Sequence, residues 1–305
     1  MRIAIYGLLG CLGLLEATAA SAADFDFGSL RGGSYEPVAA PSLATWEGIY
    51  VGGHGGWSST NFGFGSVFQP LVADHLRGRA LESILGASSL LSAVDSRRDG
   101  ATFGAFAGIN YQFDEVVAGV EFDYTHAGIT GRSADRTGRY IVGSDGYLYG
   151  ANLSGEAATR LDDYATIRAR FGYTVGGFLP YVTGGFAVGR AQISETVAVR
   201  AYEYDQATYR SNQALADPSQ RVYVNNSGYA NFIQGNPGGS TLAAPDILHR
   251  SKEKIVGGIA AGAGLEYAIT PGLILRAEYQ YVLFNDFDGH KLNVNTVRGG
   301  AAVKF

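Results

Sequence analysis

The fold of this chain is decided by three runs near its C-terminal end, which are IAAGAGLEY (residues 259–267), LRAEYQY (275–281) and VRGGAAVKF (297–305). In each run an apolar or aromatic residue alternates with a small, polar or charged one. A period of two places the two kinds of side chain on opposite faces of a β-strand. Between the first two runs, Thr270-Pro271-Gly272 has the residues of a tight turn. These segments therefore predict antiparallel strands whose two faces meet different surroundings.

The apolar faces of these strands carry aromatic residues near the strand ends, at Tyr267, Tyr279, Tyr281 and Phe305. The opposite faces mix glycine with single charges of both signs. In a soluble β-sandwich the apolar face would be buried in the core and the charged face would be exposed to solvent. Outward apolar residues with aromatic girdles and a polar interior are typical of a transmembrane barrel. We therefore predict an all-β protein, a transmembrane antiparallel up-and-down β-barrel.

The composition agrees with short amphipathic strands. Glycine contributes 44 of 305 residues, about twice its usual share, and there are 19 Tyr and 16 Phe. Gly and the β-branched or aromatic residues all lower helix propensity, and no segment has the roughly 18 consecutive apolar residues of a transmembrane helix. The net charge of −5 argues against a nucleic-acid partner, which would require a basic surface.

Residues 1–22 have the pattern of a secretory signal peptide. Arg2 supplies the positive charge, residues 3–15 form the apolar core, and Ala20-Ser21-Ala22 predicts cleavage near Ala22. An alternative is a lipoprotein signal, because Leu8-Leu9-Gly10-Cys11 resembles a lipobox, although it leaves a very short apolar core. Cleavage near Ala22 would remove the single cysteine and with it any disulfide chemistry.

Residues 23–45 contain Gly and Pro with little periodicity and predict a flexible periplasmic linker, which leaves residues 46–305 for the barrel domain. The alternating runs within 46–305 number about eight. We expect long connections at 58–99, 127–161 and 195–251, a modest loop at 285–291, and short turns elsewhere. Residues 196–204 still alternate, so the hairpin at 195–251 is an alternative candidate for sheet that extends above the membrane. A short surface helix is predicted within 79–94. Transmembrane barrels have short periplasmic turns and long extracellular loops, and an even strand number places both termini in the periplasm.

Four segments carry a resemblance to a known family: WEGIYVGG (46–53), PYVTGG (180–185), GAGLEY (262–267) and RAEY (276–279). They resemble the outer-membrane immunogenic protein or small porin-like family of alphaproteobacteria. The resemblance implies an OmpA-like eight-stranded barrel in the outer membrane, in contact with outer-membrane lipid. The loops at 58–99 and 195–251 are longer than this family would lead us to expect.

The aromatic residue Phe305 closes the last strand pattern. A strand that ends this way resembles the C-terminal assembly signal of bacterial outer-membrane proteins. The resemblance implies that Phe305 acts as an assembly signal and that the barrel-assembly machinery is a partner during biogenesis.

The charged residues with a coherent interpretation point into the predicted lumen. They are Glu121, Asp123, Arg168, Arg170, Glu266, Arg276, Glu278, Arg298 and Lys304. An eight-stranded barrel is just wide enough inside for side chains to fill it. Because an unpaired buried charge costs several kcal/mol, opposite charges there should pair. We therefore expect a lumen charge network that fills and blocks the barrel interior.

No motif in the sequence predicts catalysis, a cofactor or a metal site. Neither G-x-S-x-G nor H-E-x-x-H occurs, and we expect His126 and His290 to be solvated loop histidines. The glycines around His54 are interpreted as small residues inside a narrow barrel. The segment 286–289 resembles the start of a calcium loop but lacks the required glutamate, which favours a plain turn.

Two functions follow from these observations. The first is an integral outer-membrane barrel with a structural or surface-interaction role, which displays the loops at 58–99 and 195–251 to a host or surface ligand. The alternative is a narrow porin-like channel for ions or small solutes. We predict that the protein is not an enzyme.

Overall fold

The structure, a computed structural model, describes residues 45–305. The predicted signal peptide and, apart from Thr45, the predicted linker lie outside the described residues. The strands of the described part are β1 (Gly48–Phe64), β2 (Ser96–Phe113), β3 (Val116–Val142), β4 (Tyr147–Tyr173), β5 (Phe178–Asp205), β6 (Asn226–Ser227), β7 (Tyr229–Asn231), β8 (Thr241–Leu242), β9 (Asp246–Thr270), β10 (Leu273–Phe287) and β11 (His290–Lys304). Its α-helices are α1 (Gln69–His75), α2 (Ala80–Leu85) and α3 (Gln206–Ala214).

Eight of these strands form a closed ring. Each of β1 to β5 pairs with its neighbour in the chain, β5 pairs with β9, and β9, β10 and β11 follow in order. The pairing of β11 with β1 closes the ring, and all these pairings are antiparallel. The predicted eight-stranded up-and-down barrel is therefore confirmed. Among residues 45–305, no helix is long and apolar enough to cross a membrane.

The outer surface of the barrel has an apolar band. Its exposed side chains are Ile49, Val51, Trp57, Phe103, Tyr111, Val120, Phe122, Tyr124, Ile167, Phe171, Val182, Phe186, Val188, Ile255, Ile259, Leu265, Leu275, Tyr279, Leu283, Val297 and Val303. We call this set the lipid band. On β5 it runs over residues 178–188 and gives way to Arg190 and Gln192. That length matches the roughly 9–11 residues with which a strand crosses a bilayer.

The band lies near the end of the barrel that carries Gly48 and Phe305, which we call the terminal end; the opposite end is the loop end. The short turns at 114–115, 174–177 and 271–272 lie at the terminal end, as predicted. The two long connections of the loop end are shorter than predicted. They cover 65–95 and 206–245, because the flanking strands continue further than the sequence pattern indicated.

Four strands extend well beyond the lipid band: β3, β4, β5 and β9 have between 25 and 28 residues each. Their extensions form a sheet at the loop end, which we call the wall. The prediction of a long connection at 127–161 is therefore wrong. The strands β3 and β4 stay paired as far as Val142 and Leu148 and are joined by a turn at 143–146. The wall's outward residues, such as Arg132 and Glu156, are polar because they lie above the lipid band. This polar composition is the one expected of a loop, which explains the wrong prediction.

The connection at 65–95, which we call the plug, packs inside the loop end of the barrel. Phe68, Val72 and Leu76 are fully buried and belong to one apolar cluster with Leu153 of β4 and Val197 of β5. The ring of Phe68 lies against Gly155, where an added Cβ would come within 2.9 Å of the ring. The predicted helix within 79–94 corresponds to α2, but its Leu81 is buried rather than on the surface.

A second apolar cluster fills the terminal end. It contains Trp46, Tyr50, Phe106, Val117, Leu179, Ile274 and Ala302, all at most 4 % exposed. The barrel interior therefore has an apolar layer at each end. Apart from Lys304, the inward charged residues predicted for the lumen lie between these layers.

Candidate functional site in the barrel lumen

The strand register itself places opposite charges side by side in the lumen. Glu121 of β3 lies directly opposite Arg168 of β4. In the same way Glu266 of β9 faces Arg276 of β10, and Glu278 of β10 faces Arg298 of β11. Directly opposed residues on one face of an antiparallel pair have neighbouring side chains. The network is therefore built from three cross-strand pairs, and curvature of the barrel brings these pairs together.

Arg168 and Arg170 connect the network across the lumen. Arg168 Nη2 lies 2.6 Å from Glu121 Oε1, and Nη1 of the same guanidinium contacts Glu278 on the far side of the barrel. Arg170 donates two bonds to Glu266, of 2.8 and 3.2 Å. This bidentate geometry is the strong form of an arginine–carboxylate contact.

Arg276 and Arg298 complete the set of arginines. Arg276 Nη2 lies 2.6 Å from oxygens of both Glu121 and Glu266. Arg298 Nη1 lies 2.9 Å from Asp123 Oδ2, and its Nη2 donates to Glu278 at 3.2 Å. Each arginine thus contacts at least two carboxylates.

The network is electrically balanced and buried. Its four arginines and four carboxylates are all at most 5 % exposed, and their formal charges sum to zero. A buried charge is tolerated when it is paired and hydrogen-bonded. Of the nine predicted lumen residues, the structure brings these eight together.

Lys304 does not join them. Its ammonium donates to the carbonyl of Thr45 at the rim of the terminal end, and the residue is half-buried. The side chain has the inward parity of its strand, but it is the last residue of β11. At the rim a cation can reach water and needs no lumen partner, so its assignment to the charge network is wrong.

Three further side chains take part in the network and were missed in the sequence. Tyr50 donates to Glu121 at 2.8 Å, and Tyr181 donates to Glu278 at 3.0 Å. His54 Nε2 lies 3.0 Å from Asp123 Oδ2 and is 7 % exposed. Their positions on the inward faces of β1 and β5 were the sequence feature from which these three residues could have been predicted.

A second buried polar cluster lies nearer the loop end. His290 Nδ1 is 2.6 Å from Thr159 Oγ1, and its Nε2 is 2.9 Å from Glu195 Oε1. Arg250 donates two bonds to the same Glu195. The prediction that His290 is a solvated loop residue is wrong, because β11 begins at His290 and turns the ring inward between Phe64 and Phe287.

The remaining predicted positions lie outside these clusters. Phe305 is 79 % exposed at the terminal end, and its amide donates to the carbonyl of Ile49; its role as an assembly signal stays a prediction. Asp288 and Gly289 form the turn predicted for 286–289, both with positive φ. His126 lies 2.6 Å from Asp163 and keeps a side-chain exposure of 43 %.

The arrangement has a simple chemical consequence. Large guanidinium and carboxylate groups fill the middle of the lumen, and an apolar layer closes each end. Every charge there has a partner of opposite sign within contact distance. An ion entering this space would have to displace these partners.

Similarity to known proteins agrees with this architecture. The 31 kDa outer-membrane immunogenic protein of Brucella melitensis is 26% identical over 311 residues, which cover 98% of this chain and 98% of that protein. The 25 kDa outer-membrane immunogenic protein of Brucella ovis is 25% identical over 203 residues, covering 66% of this chain and 62% of that protein.

Solved structures with detectable similarity include Ail, the attachment invasion locus protein of Yersinia pestis. It is 12% identical, with 85% of this chain and 99% of that chain covered and a TM-score of 0.29. The outer membrane protein OprG of Pseudomonas aeruginosa is 13% identical, with 85% and 96% covered and a TM-score of 0.30. A family model described as the outer membrane protein beta-barrel domain matches residues 11–305. The chain therefore belongs to the outer membrane protein beta-barrel domain family.

Proposed function

We propose that this outer-membrane barrel has a structural and surface-interaction role and does not conduct solutes. The observation that carries the proposal is the filled lumen. Two apolar layers and a neutral network of ion pairs occupy the interior between Trp46 at one end and the plug at the other. An eight-stranded barrel has little interior volume beyond that of its own side chains.

The energetics support a closed lumen. Opening a path requires separating buried ion pairs, and breaking one by removing a partner costs about 3–5 kcal/mol. The plug adds a second barrier, because Phe68, Val72 and Leu76 are fully buried against the wall. A pore would have to disturb both layers at once.

The orientation follows from loop lengths. We place the terminal end with its short turns in the periplasm and the loop end outside the cell, as in other transmembrane barrels. Outer-membrane lipid then contacts the lipid band, and the barrel-assembly machinery inserts the chain. About half of the residues of the plug are exposed, so we assign contact with a host or surface ligand to these exposed residues, to the wall and to residues 206–245.

A catalytic role is not part of the proposal. Thr159, His290 and Glu195 follow the order hydroxyl, base and carboxylate that nucleophilic catalysis uses. Each of the three is at most 1 % exposed, however, and the imidazole ring of His290 lies between Phe64 and Phe287. A substrate has no access to this hydroxyl, and the cluster serves to fasten β11 to β4 and β5.

Liposome swelling tests the proposal. Liposomes that contain the purified protein are placed in iso-osmotic arabinose, with a 16-stranded porin as positive control and protein-free liposomes as negative control. We expect the swelling rate of the protein-free liposomes. Arabinose-driven swelling that increases with the amount of protein would instead support the narrow-channel alternative.

A further inference from the structure

A cleft lined by tyrosines lies on the outer face of the wall, at the loop end. Its volume is about 310 Å³. The side chains that matter for its chemistry are Tyr140, Leu148, Tyr202, Tyr204, Tyr229 and Ser240. Among the described residues that line this cleft none is charged. It is at the small end of the range of about 300–1,000 Å³ typical of small-molecule sites.

The strands of the wall supply one side of the cleft. Tyr140 of β3 and Tyr202 of β5 point outward above the lipid band, and Tyr140 is 70 % exposed. The ring of Tyr202 lies directly over Gly150 of β4, where an added Cβ would come within 2.1 Å of the ring. Glycine at this position is therefore required for Tyr202 to lie along the sheet.

The segment after α3 supplies the other side. Ser227 of β6 pairs with Glu203 of β5, and Tyr229 of β7 pairs with Leu242 of β8. Gly228 joins these two pairings with a φ of +81°, and an added Cβ would meet the carbonyl of Ala201 at 2.1 Å. The segment is thereby held against β5, and the rings of Tyr202 and Tyr229 meet edge to face at 5.8 Å.

Two of the tyrosines, Tyr202 and Tyr229, keep their phenol protons at neutral pH. Burial raises the pKa of Tyr229 to about 12 and raises the pKa of Tyr202 in the same direction. Each tyrosine therefore offers an apolar ring face together with a hydroxyl that both donates and accepts. This combination provides a large and rigid amphipathic contact area.

We propose that this cleft binds an uncharged oligosaccharide. The inference rests on the proposed surface-interaction role and names the chemistry of the ligand. A pyranose ring presents C–H groups on its faces, which stack on the tyrosine rings, and hydroxyls around its edge, which bond to tyrosine and to Ser240. A charged ligand would find no counter-charge in the lining.

Saturation-transfer NMR on the purified barrel tests the proposal. The protein is kept in lauryldimethylamine oxide, because maltoside detergents carry sugars of their own. The probes are maltotriose, chitotriose and mannotriose, with sialyllactose as an acidic sugar and decaproline as a peptide. We expect at least one neutral trisaccharide to bind and the two other probes not to bind.

Variants locate the binding. Tyr229→Ala and Tyr140→Ala should each weaken the trisaccharide affinity at least tenfold. Tyr229→Phe keeps the aromatic ring and should reduce the affinity by a smaller factor. Tyr223→Ala is the matched control, because Tyr223 is 68 % exposed and does not line the cleft. Because Tyr140 is also exposed, its variant should fold normally, as monitored by the thermal midpoint.

Three outcomes would overturn the proposal: no neutral trisaccharide binds, sialyllactose or decaproline binds in preference, or the affinity is unchanged in Tyr229→Ala and Tyr140→Ala. Liposome swelling reports separately on the proposed function. Impermeable liposomes combined with failure of glycan binding would refute the cleft assignment alone.

Discussion

Glu278 has three arginine neighbours in the lumen, since Arg168, Arg276 and Arg298 all lie within 4.0 Å. Glu278→Ala leaves these buried cations with fewer partners. We expect the free energy of unfolding to fall by about 3–5 kcal/mol, measured as a lower urea midpoint of the barrel in detergent.

The control for this variant is Glu156→Ala. Glu156 is an exposed carboxylate on the outer face of the wall, where a substitution typically changes stability by at most about 0.5 kcal/mol. Equal urea midpoints for Glu278→Ala and Glu156→Ala would mean that the lumen pairs contribute nothing to stability.

Asp288 gives the loop end a dependence on pH. Its hydrogen bond with Lys254, at 2.7 Å, lowers its pKa below the usual value. A depressed carboxylate pKa stabilises the fold above the unfolded value of about 4, and this contribution is lost as pH falls through the folded pKa. For a partly exposed pair we expect about 0.2–1 kcal/mol.

Asp288→Asn should abolish that acid-dependent loss, since asparagine tolerates the positive φ of 56° at this position. The comparison is the difference in urea midpoint between pH 6 and pH 2 for each protein. A wild-type difference that persists unchanged in the variant would assign the acid sensitivity to other groups.

Inward parity was enough to predict eight members of the lumen network, because the side-chain period of a strand is two. It could not predict which carboxylate each arginine contacts. Arg170 lies on β4 and Glu266 on β9, and only barrel closure brings them to 2.8 Å. Lys304 was wrongly assigned to the network for a second reason, because inward parity does not reveal how near a residue lies to the rim.

At the scale of the strand, the register of β10 is directly testable. Ala277 faces outward in the lipid band region and Glu278 faces the lumen. A spin label at 277 should contact lipid-soluble oxygen, and one at 278 should be shielded from it. Ala277→Arg should cost about 2–4 kcal/mol if residue 277 lies near the bilayer midplane. The opposite accessibility pattern would mean a register shifted by one residue, which reverses every face.

The plug gives a second prediction at this scale. Phe68→Ala removes a fully buried ring from its site against Gly155, and truncation of a buried Phe costs about 3–5 kcal/mol. We expect residues 65–95 to lose protection in hydrogen exchange while the barrel strands keep theirs. Val94→Ala is the control, because Val94 is 70 % exposed.

Unchanged exchange of residues 65–95 in Phe68→Ala would contradict the buried plug. The sequence pattern did not predict the plug or the β3–β4 part of the wall, whereas the alternation of residues 196–204 did indicate the extension of β5. Above the membrane the outer face of a strand is polar, so the period-two contrast between apolar and polar faces weakens. The residues of 127–161 therefore had the composition of a loop although they form paired strands.

For the whole molecule, the period-two runs and the alternation of loop lengths predicted the number of strands and the closed ring. Strands satisfy every backbone hydrogen bond in a membrane only when they close into a barrel. The extent to which side chains fill the lumen could not be predicted in the same way. It depends on the apolar clusters at the two ends, whose members come from distant parts of the chain.

Planar-bilayer conductance across an opening series tests the closed lumen most directly. The series consists of the wild type, a variant in which residues 66–94 are replaced by a short Gly/Ser linker, and the same variant with Glu278→Ala. We predict no channels in the wild type, and channels first in the variant that lacks the plug and has a broken ion-pair layer. Steady wild-type channels whose conductance is unchanged along the series would contradict the account.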